Sequence, residues 1–267
     1  MVTRITGKDN KTLKFIKSLK KKSNRLEYGK YVAEGRKIAA EAFDYVPNDI
    51  YSIVMSEEFA EKEPETVLRA QEICDKVFVV TNHAFDDIAD TDTPQGILVV
   101  INMPKTEFLA DENTGDIVVL DGVSEPGNMG TVIRTAEALG FDGLYLMKGC
   151  ADIYSSKTVR STMGSVFRMK FRTNCSVEDV TELQKKGFLV VATTPGGEIA
   201  MEKMEVPSKT AVVIGNEAHG VCNEILDASD MRVRITMEGR AESLNAAVAS
   251  GIVMHWIKTC GNAPLVS

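Results

Sequence analysis

Three stretches in the C-terminal half decide the fold: LDGVSEPGNMGTVIRTAEALG (120–140), AVVIGNEAHGV (211–221) and RITMEGRAESLNAAVASGIV (234–253). In each, a short apolar run that is typical of a strand leads into a polar turn that contains glycine or asparagine. Ligands of open α/β sheets bind at the carboxyl edge, where such turns lie. The three stretches therefore predict a ligand site at the carboxyl edge of a sheet.

Strand and helix patterns alternate along most of the chain, which is typical of α/β proteins with mainly parallel sheets covered on both faces. Only MPKTEFLADENTG, at 103–115, breaks this alternation, because it combines proline, glycine and acids without an apolar period. A length of 267 residues suits two domains. We therefore predict an N-terminal α/β domain at 1–103, a linker at 104–115 and a C-terminal α/β domain at 116–267.

The net charge of −7 hides an asymmetry, because residues 1–37 hold twelve lysines and arginines but only three acids. Lysines recur there at every third position, between apolar residues, which gives a helix a cationic face: Lys8, Lys11, Lys14 and Lys17. A second basic stretch, 157–172, includes Arg160 and contains no acid. Both stretches predict RNA contacts, at the last three of those lysines and at Arg160. A solvated charged face explains them equally well.

The first stretch predicts a helix over about 130–139. Asn128 is placed to cap it, because its side chain can accept unpaired amide hydrogens of the first turn. Arg134 then lies near the start of the helix. The same turn lacks the Lys-Ser/Thr of a P-loop, and the chain has no G-x-G-x-x-G after a strand, so neither nucleotide motif is predicted. A capped helix whose arginine pairs with a carboxylate remains an alternative interpretation.

The second and third stretches bring further polar groups to the ends of strands. Glu217 places a carboxylate directly after the strand AVVIG. Ser243 or Glu242 is predicted to cap a helix over about 243–260. Ser243 and Asn245 then lie near the positive end of that helix, where a hydroxyl and an amide can meet a nucleotide. Ordinary strand-to-helix turns are an alternative explanation of these residues.

All three stretches, in this order and at these spacings, resemble the SpoU (TrmH-like) branch of the SPOUT RNA 2′-O-ribose methyltransferases. Residues 5–43 also resemble the N-terminal substrate-binding domain that many SpoU proteins carry. The resemblance implies a small ribosomal-protein-like α/β domain, followed by a SPOUT α/β domain with a C-terminal trefoil knot. It further implies a homodimer and S-adenosylmethionine-dependent methylation of structured RNA, and it favours ribosomal over transfer RNA.

The resemblance also implies roles for individual residues. The active-site residues would be Asn128, Arg134, Glu217, Ser243 and Asn245. A guanidinium has no free acceptor, so we expect Arg134 to orient the ribose and phosphate and to stabilise the developing alkoxide. The S-adenosylmethionine site would be lined by seven residues: Thr193, Thr194, Gly215, Asn216, Ile235, Met237 and Leu244.

Two departures from the family pattern have structural consequences. Ala218 stands where glycine is usual, and an alanine would be strained if the turn required a positive φ at that position. Thr236 stands where proline is usual, which leaves the rigidity of the following loop to other contacts.

Two other functions remain open on the sequence: a non-catalytic RNA-binding or ribosome-assembly protein that keeps the fold, and a base methyltransferase. Five well-separated cysteines without a C-x-x-C pair predict neither a disulfide framework nor a zinc site. No other metal-ligand cluster, signal region or membrane-spanning stretch is predicted. We therefore expect a cytoplasmic protein that needs no metal.

Overall fold

A computed structural model describes residues 2–7, 10–206, 209–241 and 243–260, so Lys8 and Glu242 lie outside the described residues. The chain forms two compact units. The first comprises Met1–Lys105 together with Asp152–Arg168, and the second comprises Thr106–Ala151 together with Met169–Ser267. Asp152–Arg168 thus belongs to the first unit, although it lies inside the predicted C-terminal domain. The predicted division at 1–103, 104–115 and 116–267 stays a prediction.

The first unit contains a five-stranded mixed sheet in the order β1-β4-β3-β5-β2. Its strands are β1 (Val2–Ile5), β2 (Lys30–Glu34), β3 (Ile50–Ser56), β4 (Val77–Val80) and β5 (Ile97–Asn102). Because β5 runs antiparallel to both β2 and β3, the strands β1 to β4 all point the same way. The sheet is therefore less uniformly parallel than the sequence pattern predicts.

Seven α-helices belong to the described part of this unit: α1 (Lys11–Ser18), α2 (Lys22–Tyr28), α3 (Arg36–Tyr45), α4 (Glu57–Lys62), α5 (Pro64–Ile73), α6 (Asn82–Ile88) and α8 (Ser156–Ser161). The sequence pattern also predicts helices at about 9–22 and about 57–72, and the structure differs from both predictions. The helix predicted at 9–22 ends at Ser18, whose carbonyl accepts a bond from the Asn24 side chain. The helix predicted at 57–72 is interrupted at Pro64, which lacks the amide hydrogen that a helix interior needs.

The second unit contains a seven-stranded sheet in the order β10-β12-β9-β11-β6-β7-β8, and all of its pairings are parallel. Its strands are β6 (Ile117–Asp121), β7 (Gly143–Met147), β8 (Phe171–Cys175), β9 (Leu189–Thr193), β10 (Ile199–Ala200), β11 (Thr210–Gly215) and β12 (Met231–Arg234). The α/β class predicted for both halves is confirmed. Chain threading cannot be derived from strand order, so the trefoil knot stays a prediction.

Four helices cover this sheet: α7 (Pro126–Ala138), α9 (Val177–Lys185), α10 (Asn223–Ala228) and α11 (Ala246–Cys260). Val119 and Val213 in the central strands pack with Leu183 of α9 and Ile225 of α10. Helix α11 packs against α7 and β11. No helix in the described ranges is long and apolar enough to span a bilayer.

Candidate active site

A cavity of about 430 Å³ opens at the carboxyl ends of β9, β11 and β12, in the size range of small-molecule sites. Its walls include apolar side chains from Ile214, Val233 and Leu226 beside the loops that follow the strands. All seven residues that the resemblance assigns to S-adenosylmethionine line it: Thr193, Thr194, Gly215, Asn216, Ile235, Met237 and Leu244. Glu217 and Ser243 line it as well. The predicted ligand edge is therefore a formed cavity.

The loop after β11 folds back on itself at the mouth of this cavity. The backbones of Asn216 and Gly220 exchange two hydrogen bonds of 2.9 Å, which closes the loop. A Cβ at Gly215 would lie 2.2 Å from the carbonyl carbon of Gly220, so only glycine allows this approach. The Asn216 side chain accepts bonds from the amides of Ala218 and His219 and donates to the Gly122 carbonyl at 2.7 Å. Asn216 thus joins the second motif to the first.

The two departures from the family pattern do not disturb the site. The positive φ of this loop falls on Gly220, at 71°, and Ala218 has none, so the alanine is not strained. Thr236 donates a hydrogen bond of 3.0 Å from its hydroxyl to Glu202. This bond supports the loop at the position where a proline would restrict it.

A chain of hydrogen bonds connects all three motifs beside the cavity. The Glu217 carboxylate accepts a bond of 2.9 Å from Nδ2 of Asn128. Oδ1 of Asn128 accepts a bond of 3.1 Å from Nδ2 of Asn245. Oδ1 of Asn245 accepts bonds from the amides of Ala247 and Val248, in the first turn of α11. We call this set, Glu217–Asn128–Asn245, the carboxylate–amide relay. Its donors and acceptors all run in one direction, from the helix start to the carboxylate.

The relay favours the ionised form of Glu217. Partial burial acts to raise the pKa of this carboxyl, but the Asn128 side chain and the amides of Glu217, Ser124 and Glu125 donate to it and outweigh burial, so its pKa lies below the ordinary value. Ser124, whose amide and hydroxyl each lie 3.4 Å from Oε2, was not predicted from the sequence. The only feature of the sequence that could have indicated Ser124 is its position in the turn between β6 and α7.

We expect Asn128→Ala to raise the pKa of Glu217 toward the ordinary value of 4.5, because the carboxylate loses a donated hydrogen bond. A carboxyl whose folded-state pKa is lowered stabilises the fold above its unfolded-state pKa, and this stabilisation is lost as the pH falls through the folded-state pKa. The variant should therefore lose less stability on acidification than the wild type. Carboxyl ¹³C NMR titration measures the pKa directly. Thr131→Ala, on the same helix, is the control, and an equal pKa in all three proteins would refute the relay.

The helix starts differ from the prediction. Helix α7 begins at Pro126, because the fixed φ of proline suits the first helical position, and residue 125 takes the cap position. Asn128 is therefore the third helical residue and not the cap, and its side chain is available for the relay. In the third motif Asn245 caps α11 instead of Ser243, so the helix begins at Ala246 and Ser243 faces the cavity.

The sequence predicts Arg134 near the start of the helix, but α7 begins eight residues before it. It is about 9 Å further along the helix axis than Asn128. Its side chain is exposed and forms no hydrogen bond or ion pair with the part of the chain that the structure describes. Arg134 is not among the cavity residues of its own chain. The alternative interpretation, in which Arg134 pairs with a carboxylate, is therefore not what the structure shows. The catalytic role of Arg134 stays a prediction.

The predicted RNA-contacting cations fall into two groups. Lys11, Lys14 and Lys17 are exposed on α1, while Leu13 and Ile16 between them are buried, as the pattern predicts. Arg160 instead lies 3.5 Å from a carboxylate oxygen of Asp90 and 3.9 Å from one of Glu34. These acids come from distant parts of the chain, so the acid-free sequence around Arg160 does not mean an unpaired charge. RNA contact at these four residues stays a prediction.

A parallel sheet with a cavity at its carboxyl edge is the arrangement of a ligand-binding α/β protein, and the comparisons with known proteins identify the class as S-adenosylmethionine-dependent RNA methyltransferases. Residues 116–255 match the SpoU rRNA Methylase family, and residues 10–99 match the MRM3-like substrate binding domain. The chain belongs to the SpoU rRNA Methylase family. The N-terminal substrate-binding domain expected from the resemblance is thus confirmed. In the described ranges no group of three or more His, Cys, Asp or Glu could hold a metal ion.

Relatives with full-length similarity agree with this family. The 23S rRNA (guanosine(2553)-2′-O)-methyltransferase RlmP of Bacillus subtilis is 29% identical over 95% of this chain and 98% of its own. A crystal structure of an rRNA methyltransferase from Sinorhizobium meliloti superposes with a TM-score of 0.85, at 29% identity, over 96% of this chain and 97% of that one. The AdoMet-bound rRNA methyltransferase from the same organism gives a TM-score of 0.82 at 30% identity, with the same coverage.

Proposed function

We propose that this protein transfers the methyl group of S-adenosylmethionine to a ribose 2′-oxygen of ribosomal RNA. The observation that carries the proposal is the carboxylate–amide relay, which puts polar groups from all three motifs beside a cavity lined by the seven expected residues. The RlmP relative is named as a 2′-O-methyltransferase of 23S rRNA, which supports both the reaction and the RNA class. A reaction on ribosomal RNA also supports a cytoplasmic location.

The cavity has the size of a small-molecule site, and its lining suits the chemistry of S-adenosylmethionine. Leu244, Ile235 and Ile214 offer apolar contacts to an adenine ring, and the folded-back loop after Gly215 offers backbone groups to its polar edge. Thr193 is held in place by a bond of 2.8 Å from its hydroxyl to the Val213 carbonyl. When bound, S-adenosylmethionine supplies a methyl group activated by a sulfonium centre. The chain must then orient the ribose, because positioning can provide much of the rate of such a transfer.

Glu217 orients the ribose in this proposal and does not act as the principal base. Its pKa is lowered, so the ionised carboxylate binds protons weakly but accepts hydrogen bonds from hydroxyl groups. Asn128 and Asn245 fix its direction, and Ser243 adds a hydroxyl at the cavity wall. Arg134 contributes the positive charge that stabilises the developing alkoxide.

A direct test is methyl transfer from S-adenosylmethionine to ribosomal RNA isolated from cells that lack this gene, followed by mapping of 2′-O-methyl positions. We expect one new 2′-O-methyl nucleotide, formed equally well in the presence of a chelator. Methylation on a base would show a different reaction. S-adenosylmethionine binding that fails in calorimetry, or that requires metal, would reject the proposal.

The first unit is proposed to hold the RNA, and the lysines of α1 test this. Replacing Lys11, Lys14 and Lys17 together by glutamine is expected to weaken RNA binding broadly, with S-adenosylmethionine affinity unchanged. Each lost phosphate contact should reduce the log–log salt slope by somewhat under ~1. Filter binding across a salt series measures the slope. Lys62→Gln, at a charge paired with Glu58, is the control. An unchanged slope in the triple variant would mean that α1 is only a solvated face.

We also propose a homodimer formed through α11. One face of this helix is buried in its own unit, while Leu244, Val248 and Ile252 are 36%, 52% and 37% exposed. Val248 and Ile252 lie four residues apart on one face of α11, and with Leu244, just before the helix begins, they form an apolar stripe. The family resemblance places each active site near the partner subunit, and the exposed Arg134 on the neighbouring α7 is then available to the second copy of the chain.

Light scattering is expected to show a dimer at micromolar concentration for the wild-type protein. Val248→Glu should give a monomer, because a charge in the centre of the stripe cannot be buried without a partner. Leu68→Glu, at an apolar side chain that is 63% exposed on α5 of the first unit, should leave the dimer intact. A wild-type monomer, or dissociation by both substitutions, would contradict an interface at this stripe.

A further inference from the structure

The edge of the first sheet where its parallel strands begin gathers three aromatic rings and two lysines. Lys30 starts β2, Tyr51 is the second residue of β3, and Lys76 immediately precedes β4. Since these strands run in the same direction, the three residues come together at one edge. Phe15 of α1 and Tyr28 of α2 complete the group. We call these five residues the aromatic edge: Phe15, Tyr28, Lys30, Tyr51 and Lys76.

The members of the aromatic edge are in direct contact. The Phe15 ring packs edge-to-face against Tyr28, with centroids 5.3 Å apart, and against Tyr51 at 6.0 Å. The ammonium groups of Lys76 and Lys30 lie 3.9 Å and 4.6 Å from the centroid of the Tyr51 ring. The Lys30 ammonium also donates a bond of 3.1 Å to the Tyr28 carbonyl. The cluster is therefore held together by its own contacts.

Tyr28 is the ring of this group that is open to solvent. Helix α2 ends directly after it, at Gly29, whose left-handed conformation turns the chain into β2. Tyr28 is 43% exposed, and Leu26 on the same helix is 63% exposed. Phe15 and Tyr51 are half-buried against the core of the unit and support the group from below. The exposed Tyr28 ring is therefore supported by two partly buried rings, Phe15 and Tyr51.

The two lysines differ from other cations that lie over aromatic rings in this unit. Arg36, Arg69 and Arg168 each pair with a carboxylate, from Glu63, Asp44 and Glu41 respectively. Lys30 and Lys76 form no ion pair with any residue in the described ranges. Their charges are therefore available to an anion from outside the chain. The partner of this surface must offer both a flat apolar face and negative charge.

We propose that the aromatic edge binds an unpaired nucleotide of the RNA substrate, with its base stacked on Tyr28 and flanking phosphates at Lys30 and Lys76. This rests on the proposed function only in taking RNA as the substrate. Single-stranded RNA is recognised by stacking of splayed bases on aromatic side chains beside cationic groups. A paired base in a duplex does not expose its face, so the surface selects loops, bulges or ends over helices.

The test uses the whole 267-residue chain and compares its binding of a short oligouridylate and of an RNA duplex of equal length by fluorescence anisotropy. Tyr28→Leu should weaken oligouridylate binding about tenfold or more and leave duplex binding nearly unchanged, since stacking on one ring is lost. Tyr28→Phe should retain the affinity. The double variant Lys30→Gln/Lys76→Gln should lower the salt slope for oligouridylate by about 1.4, from two lost phosphate contacts.

Two matched controls come from the same unit. Tyr45→Leu removes a tyrosine that is 54% exposed and lies under Arg168, whose charge is already paired. Lys62→Gln removes an exposed lysine that pairs with Glu58. Neither should change oligouridylate affinity. The proposal would be overturned if Tyr28→Leu left oligouridylate affinity unchanged, or if it weakened single-strand and duplex binding equally. It would also be overturned if Tyr45→Leu lowered oligouridylate affinity as much as Tyr28→Leu.

Methyl transfer is measured in parallel on ribosomal RNA. If the wild-type protein methylates a ribose but Tyr28→Leu binds oligouridylate normally, this inference fails and the proposed function stands. If the wild-type protein transfers no methyl group, the proposed function fails, and the anisotropy results still decide whether the aromatic edge binds a single strand.

Discussion

Arg134→Ala is expected to lower the rate of methyl transfer about 100- to 1000-fold while S-adenosylmethionine affinity and thermal stability remain close to those of the wild type. The loss corresponds to about 3–4 kcal/mol, the typical effect of removing one preorganised donor from a developing negative charge. Stability should be unaffected because the Arg134 side chain is exposed and bonds to no other described residue. Cofactor affinity should be unaffected because Arg134 is absent from the cavity wall.

Single-turnover transfer to ribosomal RNA gives the rate, and calorimetry gives the affinity. Arg134→Lys should recover little activity, since an ammonium does not reproduce the planar fork of a guanidinium. Arg232→Ala is the control, because that arginine pairs with Asp227 and does not line the cavity. Transfer at the wild-type rate by Arg134→Ala would exclude Arg134 from catalysis.

Gly215→Ala is expected to weaken S-adenosylmethionine binding about tenfold to a hundredfold and to lower the melting temperature. The new methyl group would lie 2.2 Å from the Gly220 carbonyl carbon and 2.3 Å from the Val221 amide nitrogen, so the loop must move. Overpacking of this kind costs about 1–3 kcal/mol. The loop forms part of the cavity wall, and its displacement should therefore lower the affinity as well as the stability.

Gly196→Ala is a matched control beside the same cavity. Its added Cβ would meet nothing within 4 Å, and Gly196 has no positive φ that alanine would strain. Calorimetry and a thermal melt on both variants separate a local clash from a general sensitivity to alanine. Wild-type affinity in Gly215→Ala would show that the loop shifts freely and that the close approach is not required.

The sequence predicts the cavity better than it predicts the catalytic geometry. Strand ends can be located from apolar runs, and parallel strands end at one edge, so a ligand site at that edge could be predicted from the sequence. The assignment of Gly215, Ile235 and Leu244 to that site rested on the family resemblance. The relay could not be predicted, because it depends on side-chain directions over sequence separations of 89 and 117 residues. The predicted start of α7 was also wrong. Asn128 suits a cap position and Pro126 suits the first helical position equally well, so the sequence did not decide between them.

Charge was the least predictable property. The lysines of α1 are exposed as their spacing implies, because helical periodicity is a local property. The neutralisation of Arg160 and Arg168 depends on Asp90 and Glu41, which are far away in the chain. The aromatic edge was missed for the same reason, since its members are separated in sequence and meet only through the order of the strands.

The membership of Asp152–Arg168 in the first unit limits how this architecture can be recombined. Asp152 forms an ion pair of 2.6 Å with Arg25, which is only 5% exposed, and the Tyr154 ring packs on Tyr31 at 4.7 Å. A fragment cut after Lys105 would leave the Arg25 guanidinium buried without its carboxylate, at a cost of about 3–5 kcal/mol. Gene fusion or domain exchange that keeps this ion pair must therefore transfer two separate pieces of the chain together.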